Sequence, residues 1–457
     1  MDDTGPHGFG TVLVCGAGVA GTSAAGALLV RADHLLLADR RESAAVTDLV
    51  DRGVHFVGAP DAVPDGVDLV VTSPGWRPDH PLLADAAAHG IEVIGEVELA
   101  WRLRPPGAAA WLAVTGTNGK TTTVRMLESI LHASGARAIA VGNVGVPIID
   151  AVVADEPYEV LAVELSSFQL HWSSTVAPAA GALLNLAPDH LDWHGSMDAY
   201  TAAKTRVWTG GVAIGNLDDA RVAALLEALP TADARIGFTL GPPSPGSLGV
   251  RGGVLVDDAF GTDLALLPET EVRPSGRHNV ANALAAAALA RAHGVTPEAV
   301  AAGLRAFVPD PHRNQLVRTG DGVMWVDDSK ATNPHAALAS LLSYPRVVWI
   351  AGGQLKDAPV DELVAAVAGR LSGVVLLGVD RREIADALRR HAPDVPVIDV
   401  PSTDDGAMTE AVRAAAGFAR PGDTVLLAPA AASYDMFSGY GARGDAFAAA
   451  VRALGPT

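Results

Sequence analysis

Trp111-Leu112-Ala113-Val114-Thr115-Gly116-Thr117-Asn118-Gly119-Lys120-Thr121-Thr122 carries a short apolar run into a glycine-rich turn, a lysine and two hydroxyls, and a helical pattern follows. A strand that turns into a helix through such a loop presents backbone N–H groups and a helix N-terminus to phosphates. The lysine adds a point charge, and the hydroxyl after it can reach Mg2+. The spacing departs from the general GxxxxGK[ST] form, because Val114 stands where the first glycine would sit. Strand, GK[ST] core and helix in that order read as an α/β unit with a nucleotide loop at its start. The alternative is a tight βα turn with an incidental lysine.

The same rhythm extends in both directions. Upstream, residues 11–15 read as a strand, Gly16 to Gly21 as a glycine-rich turn and 22–30 as a small-residue helix. A second strand at 34–38 ends at Asp39, and a third at 67–71 runs into Thr72-Ser73-Pro74-Gly75. The pattern resets near Gly95, with a helix at 96–102 broken by Pro105-Pro106-Gly107. Downstream come strands at 160–163 and 182–184, a Pro/Gly/Ser-rich loop or hairpin at 241–253, and an Ala-rich helix from Asn279 to about His293. A last region opens near Pro309-Asp310-Pro311, with strands at 323–326, 347–350, 374–377 and 424–427. A length of 457 residues, at roughly 150 per domain, calls for three domains. The expected fold is α/β, divided as 1–95, 96–309 and 310–457. The outer two are Rossmann-like, and the middle one is a mostly parallel ATPase-type sheet.

Composition narrows the function. An apolar fraction of 49% with 19% charged residues describes a chain that buries a large core. The formal net charge of −19 repels nucleic acid and anionic membrane, so anionic ligands need locally placed donors. The richest apolar stretches are too short and interrupted to span a bilayer. The acidic opening Met1-Asp2-Asp3 lacks the order of a secretory signal. A single cysteine, Cys15, fits a reducing cytoplasm. Of 33 basic residues only four are lysines: Lys120, Lys204, Lys330 and Lys356. Arginine and lysine solvate a surface about equally, but only lysine is a compact charge and a reactive amine. A chain this poor in lysine keeps it where arginine cannot serve.

Each of the four lies in a motif, and together the motifs resemble the Mur ligase superfamily, which includes the muramyl-peptide ligases and folylpolyglutamate synthetase. The loop at 116–122 is similar to the family's ATP loop. Gly142-Asn143-Val144-Gly145 resembles its GNxG turn, and Glu164-Leu165-Ser166-Ser167-Phe168-Gln169-Leu170 its ELSSFQL strand end. Asn185 to Asp192 resembles the N-x-x-x-DH-x-D segment, and Ala202-Ala203-Lys204 the AK motif. Gly276 to Ala283 resembles GxHNxxNA, Pro311-His312-Arg313 the HR motif and Asp328 to Asn333 the DSKATN run. Near the C-terminus, Ala428 to Phe437 with Tyr440 and Arg443-Gly444 is similar to the run of the glutamate-adding branch, with Ala428 standing where serine is common.

The resemblance implies ATP-dependent joining of D-glutamate to UDP-N-acetylmuramoyl-L-alanine in peptidoglycan precursor synthesis, by a cytoplasmic monomer. It implies that Gly116, Thr117, Asn118, Gly119, Lys120, Thr121 and Thr122 cradle the ATP phosphates. Asn282 then lies near adenine, and Arg313 and Asp328 near the ribose and phosphates. Thr121 with Glu164 holds one Mg2+, and His190 with Lys204 a second, Lys204 being carbamylated by CO2. Lys330 brings the last domain onto the phosphates. The UDP moiety falls to Gly18, Val19, Ala20, Asp39, Arg40, Gly75 and Asn143, and glutamate to Thr332, Lys356, Ser433 and the backbone at Tyr440. Within the family, another ligase such as an L-glutamate-adding enzyme remains beside this one, and so do two readings from other classes. Gly16-Ala17-Gly18-Val19-Ala20-Gly21 before Asp39 is by itself a dinucleotide fingerprint, fitting an NAD-dependent oxidoreductase. A non-catalytic nucleotide-binding scaffold is the other. The alternation His190, Asp192, His194 resembles a zinc pattern but lacks a cysteine partner.

Overall fold

Strands buried on both faces need side chains that are apolar at every position, and the central runs of this chain have them. In a computed structural model, which describes residues 8–229, 234–356, 358–402 and 406–454, these runs form three sheets. The acidic opening at residues 1–3 lies outside the described residues. The first sheet holds β1 (Phe9–Cys15), β2 (Ala32–Ala38), β3 (His55–Phe56), β4 (Leu69–Thr72) and β5 (Glu92–Gly95). The second holds β6 (Ala110–Thr115), β7 (Ala138–Gly142), β8 (Val160–Glu164), β9 (Ala180–Leu183), β10 (Val212–Asn216), β11 (Ala234–Phe238), β12 (Ser247–Arg251), β13 (Val254–Asp257) and β14 (Leu264–Pro268). The third holds β15 (Gln315–Gly320), β16 (Val323–Asp327), β17 (Val347–Ala351), β18 (Leu371–Leu376), β19 (Val397–Asp399) and β20 (Thr424–Leu427).

The first sheet is wholly parallel, in the order β3-β2-β1-β4-β5 of a doubly wound fold. The second runs β14-β13-β12-β11-β10-β9-β6-β8-β7, parallel except for the two pairings of β13. The segment expected as a loop or hairpin is both: a loop leads into β12, which turns through Gly252-Gly253 into antiparallel β13. The third runs β15-β16-β20-β17-β18-β19 and is parallel apart from β15. The chain forms two compact units. One comprises Met1–Glu269 and Ala281–Ala306, the other Thr270–Val280 and Phe307–Thr457.

Side-chain alternation explains why the apolar runs are continuous. In β17, Val347, Trp349 and Ala351 enter one core, and Val348 and Ile350 enter the core on the opposite face. β1 does the same, with Val12 and Val14 on one face and Leu13 and Cys15 on the other. Cys15 is fully buried at the end of β1, in register with Ala38 on one neighbour and Thr72 on the other. Among the described residues, no helix is long and apolar enough to cross a membrane.

Candidate active site

Open parallel sheets bind ligands beyond the carboxyl ends of strands where the strand order reverses. All three sheets place their motif residues there. In the second sheet β6 lies between β8 and β9, and its loop enters the helix Lys120–Ala133 through Gly119. Gly119 has φ of 85°, and a Cβ there would collide with the side-chain oxygen of Asn282, so only glycine closes the loop. The Asn185 side chain accepts from Asn118 N at 2.8 Å and donates to Asn118 O at 3.0 Å. Tyr200 Oη lies 2.9 Å from Thr117 Oγ1. These two residues shape the loop, and sequence reading gave neither a role. Tyr200 precedes Lys204 by four on the helix Met197–Thr205, and that shared face was the available signal.

Lys120 Nζ donates to the carbonyls of Gly116 at 2.8 Å and Thr117 at 2.9 Å. Lys204 Nζ reaches the same Gly116 carbonyl at 2.8 Å, although its side chain is almost wholly buried. Burial first, and the charge of Lys120 second, push the Lys204 amine well below the usual lysine range. Glu164 ends β8, in register with Val114 of β6 and Gly142 of β7. Its Oε1 accepts from Asn143 Nδ2 at 3.0 Å, whereas the buried Oε2 has no hydrogen-bond partner. An anionic oxygen buried without a donor is the kind of group that takes a cation. His190, at φ of 53°, begins the helix Leu191–His194 and packs its ring 4.7 Å from that of Phe168. His194 is drawn away by Ser167 Oγ at 2.9 Å, and burial lowers its imidazole to about 4. Among the described residues no cluster of three metal-ligating side chains forms, so the zinc pattern has no counterpart in space.

The strand end at Glu164 rests on a buried relay. Ser166 Oγ accepts from Gln169 N at 3.2 Å, and Gln169 Oε1 accepts from Ser166 N at 2.8 Å, a reciprocal cap on the helix Ser167–His171. The Gln169 amide donates to Glu96 Oε1 at 2.9 Å. Glu96 is buried, its Oε2 has no partner, and burial raises its carboxyl to about 7.

In the first sheet, the turn after β1 begins the helix Val19–Leu28 at Gly18, leaving Val19 74% exposed at its first position. Asp39 Oδ2 accepts from Ala17 N at 2.7 Å and Oδ1 from Arg41 N at 3.1 Å, so this carboxylate braces the turn. Ala20, Arg40 and Gly75 sit at the same carboxyl edge.

In the second unit, Gln354 and Ala432 pair across the loops after β17 and β20, which brings Lys356 and Ser433 onto neighbouring segments. Lys356 has φ of 54°, and Ser433 is buried. Lys330 Nζ lies 4.0 Å from the ring of Tyr440, and Thr332 N donates to Lys330 O at 2.8 Å. Asp328 accepts from Asn314 N at 3.1 Å, and burial raises its carboxyl to about 6. Arg313 lies 3.7 Å from Asp310.

Three family models match this chain: the Mur ligase MurD-like N-terminal domain over residues 10–95, the Mur ligase middle domain over 114–290, and the Mur ligase glutamate ligase domain over 312–431. The chain belongs to the Mur ligase family. Among its relatives, the UDP-N-acetylmuramoylalanine–D-glutamate ligase of Thermobifida fusca is 58% identical over 97% of this chain and 98% of its own length. The enzymes of the same name from Streptomyces coelicolor and Mycobacterium tuberculosis are 53% and 51% identical. They cover 97% and 99% of this chain, and 98% and 97% of their own lengths. Solved structures share the fold. The MurF ligase of Thermotoga maritima in complex with ADP has a TM-score of 0.57 at 17% identity, over 92% of this chain and 96% of that one. MurC from the same organism has 0.55 at 19%, over 92% and 95%.

Proposed function

We infer that this chain is an ATP-dependent ligase that joins D-glutamate to UDP-N-acetylmuramoyl-L-alanine, forming ADP and phosphate, in peptidoglycan precursor synthesis. The observation that carries the reading is the phosphate loop held beside Glu164, whose buried oxygen lacks a donor, and Lys204, whose buried amine has a lowered proton affinity. A carboxylate does not condense with an amine at neutral pH, because oxide is no leaving group. Transfer of the γ-phosphoryl group to the alanyl carboxylate supplies one, and the glutamate amine then displaces phosphate from the acyl carbon. The protein's share is positioning and charge stabilisation.

Lys120 and the N–H groups of 116–122 take the phosphates, Asn282 the adenine side, and Arg313 and Asp328 the ribose and phosphates. Thr121 and Glu164 suit one Mg2+; His190 with carbamylated Lys204 suits a second. The chemistry Mg2+ supplies at such a site is neutralisation of phosphate charge. Lys330 supplies a further cation for the phosphates. Gly18, Val19, Ala20, Asp39, Arg40, Gly75 and Asn143 hold the UDP-sugar, and Thr332, Lys356, Ser433 and Tyr440 the glutamate. The domains divide as 1–95, 96–309 and 310–457, and the enzyme works as a cytoplasmic monomer.

Phosphate release measured with UDP-N-acetylmuramoyl-L-alanine and either D- or L-glutamate tests this. Release is expected only when both substrates are present, and with D-glutamate preferred. Release without either substrate, or equal turnover of L-glutamate, overturns it.

A further inference from the structure

Arg443 is 1% exposed, yet its acceptors are carbonyls and a hydroxyl rather than a carboxylate. Burying a guanidinium is costly unless every arm is used. Here Nε donates to Ser329 Oγ at 3.0 Å, Nη2 to Ser329 O at 2.8 Å and Nη1 to Ala431 O at 3.0 Å. Gly352 O lies at 3.5 Å from Nη1. Ser329, Gly352 and Ala431 follow β16, β17 and β20, three adjacent strands of the third sheet. The Ser329 hydroxyl in turn donates to Tyr440 O at 2.8 Å. Arg443 lies in the first turn of the helix Tyr440–Ala453, and Gly444 lets that turn approach, since a Cβ there would collide with His312 and come within 2.7 Å of Asp327 Oδ2. Burial lowers the guanidinium to about 10, so it keeps its charge at neutral pH, with Asp435 and Asp327 favouring that charge from a distance.

The loops so tied carry Thr332, Lys356, Ser433 and the Tyr440 backbone. We propose that Arg443 is a positioning residue for amino-acid binding, fixing the three strand-end loops at the spacing that receives both glutamate carboxylates. The proposal rests on the placement of glutamate given above. Only a planar fork serves three loops at once; a lysine ammonium reaches one or two.

The test is steady-state kinetics of Arg443→Lys and Ser329→Ala beside Lys356→Ala, with KM for D-glutamate and for ATP measured separately. Arg443→Lys is expected to raise the D-glutamate KM about tenfold or more while the ATP KM shifts less than about twofold. Ser329→Ala, which removes one arm's acceptor and the Tyr440 tether, is expected to raise the D-glutamate KM by about three- to fivefold. Should Arg443→Lys fail to fold, Ser329→Ala carries the test alone. A lowered melting temperature with unchanged D-glutamate KM in the folded variants reduces Arg443 to a structural residue and overturns the proposal. If Lys356→Ala also leaves that KM unchanged, the placement of glutamate falls with it; if Lys356→Ala raises it, the proposal fails alone.

Discussion

Lys204 sets one buried amine against the glycine-rich loop. Its nitrogen shares the Gly116 carbonyl with Lys120, inside a loop meant for polyphosphate. Burial and the neighbouring cation both disfavour its protonated form, so a larger neutral fraction exists at neutral pH than on a surface lysine. A neutral amine adds to CO2, forming an N–C bond and releasing a proton, and the product is an anionic oxygen ligand of the kind Mg2+ prefers. Lys204→Ala is therefore expected to lose roughly 100-fold or more in ligation rate, about 3 kcal/mol of activation free energy. Acetate should restore part of the activity, and removing bicarbonate should slow the wild-type enzyme. Normal ligation by Lys204→Ala without added carboxylate would dismiss the carbamate. At this scale the sequence was legible for Lys120 and Lys204, two of four lysines in a chain of arginines, which the structure brings to one carbonyl. Asn185, Tyr200 and Arg443 were not legible as actors. Their roles lie in contacts made 67, 83 and 114 positions away, which spacing along the chain does not encode.

The helix Glu96–Arg102 places two carboxylates in opposite environments. Burial works against charge at Glu98. Hydrogen bonds from the Thr175 hydroxyl, the backbone of Thr175 and Ser174, and Arg102 outweigh it and hold the group at about 2. At Glu96 burial outweighs the Gln169 amide and the backbone N–H groups of Glu96 and Val97, and carries the carboxyl up to about 7. A carboxyl whose folded value is raised binds its proton more tightly folded than unfolded. It then imposes no cost below about pH 4.5, an increasing cost as pH rises towards 7, and a constant cost above. Glu96→Gln keeps an acceptor for Gln169 and removes the titration. It should match wild type at pH 4 and exceed it by about 1–3 kcal/mol at pH 8, read from urea unfolding at both pH values. An equal difference at both pH values would rule out this origin. Element boundaries were legible where apolar runs met glycine or proline, as at 96–102 and 424–427. The two-residue β3 and the antiparallel strands β13 and β14 were not, because short strands at or beside a sheet edge carry little pattern.

Across the whole molecule, the α/β class and the parallel sheets could be read from the alternation of strand and helix. Strand order could not, since it depends on which runs pair at a distance, and it is the order that gathers the loops after β6, β7, β8 and β9 at one carboxyl edge. Residues 270–280 group with the third sheet, which the chain's linear sequence of motifs does not announce. One feature of the first sheet gives the intact protein a use as its own recorder. Cys15 is the chain's only thiol, sealed between β2 and β4, and burial pushes it up to about 12. A maleimide can reach it only while that sheet is open. The labelling rate of unmodified protein under native conditions is thus a stopwatch for local opening, with no engineered label needed. Labelling should be slow, and slower still when saturating UDP-N-acetylmuramoyl-L-alanine holds the turn beyond β1 closed. Prompt stoichiometric labelling without denaturant would mean that the sheet breathes far more freely than its packing implies.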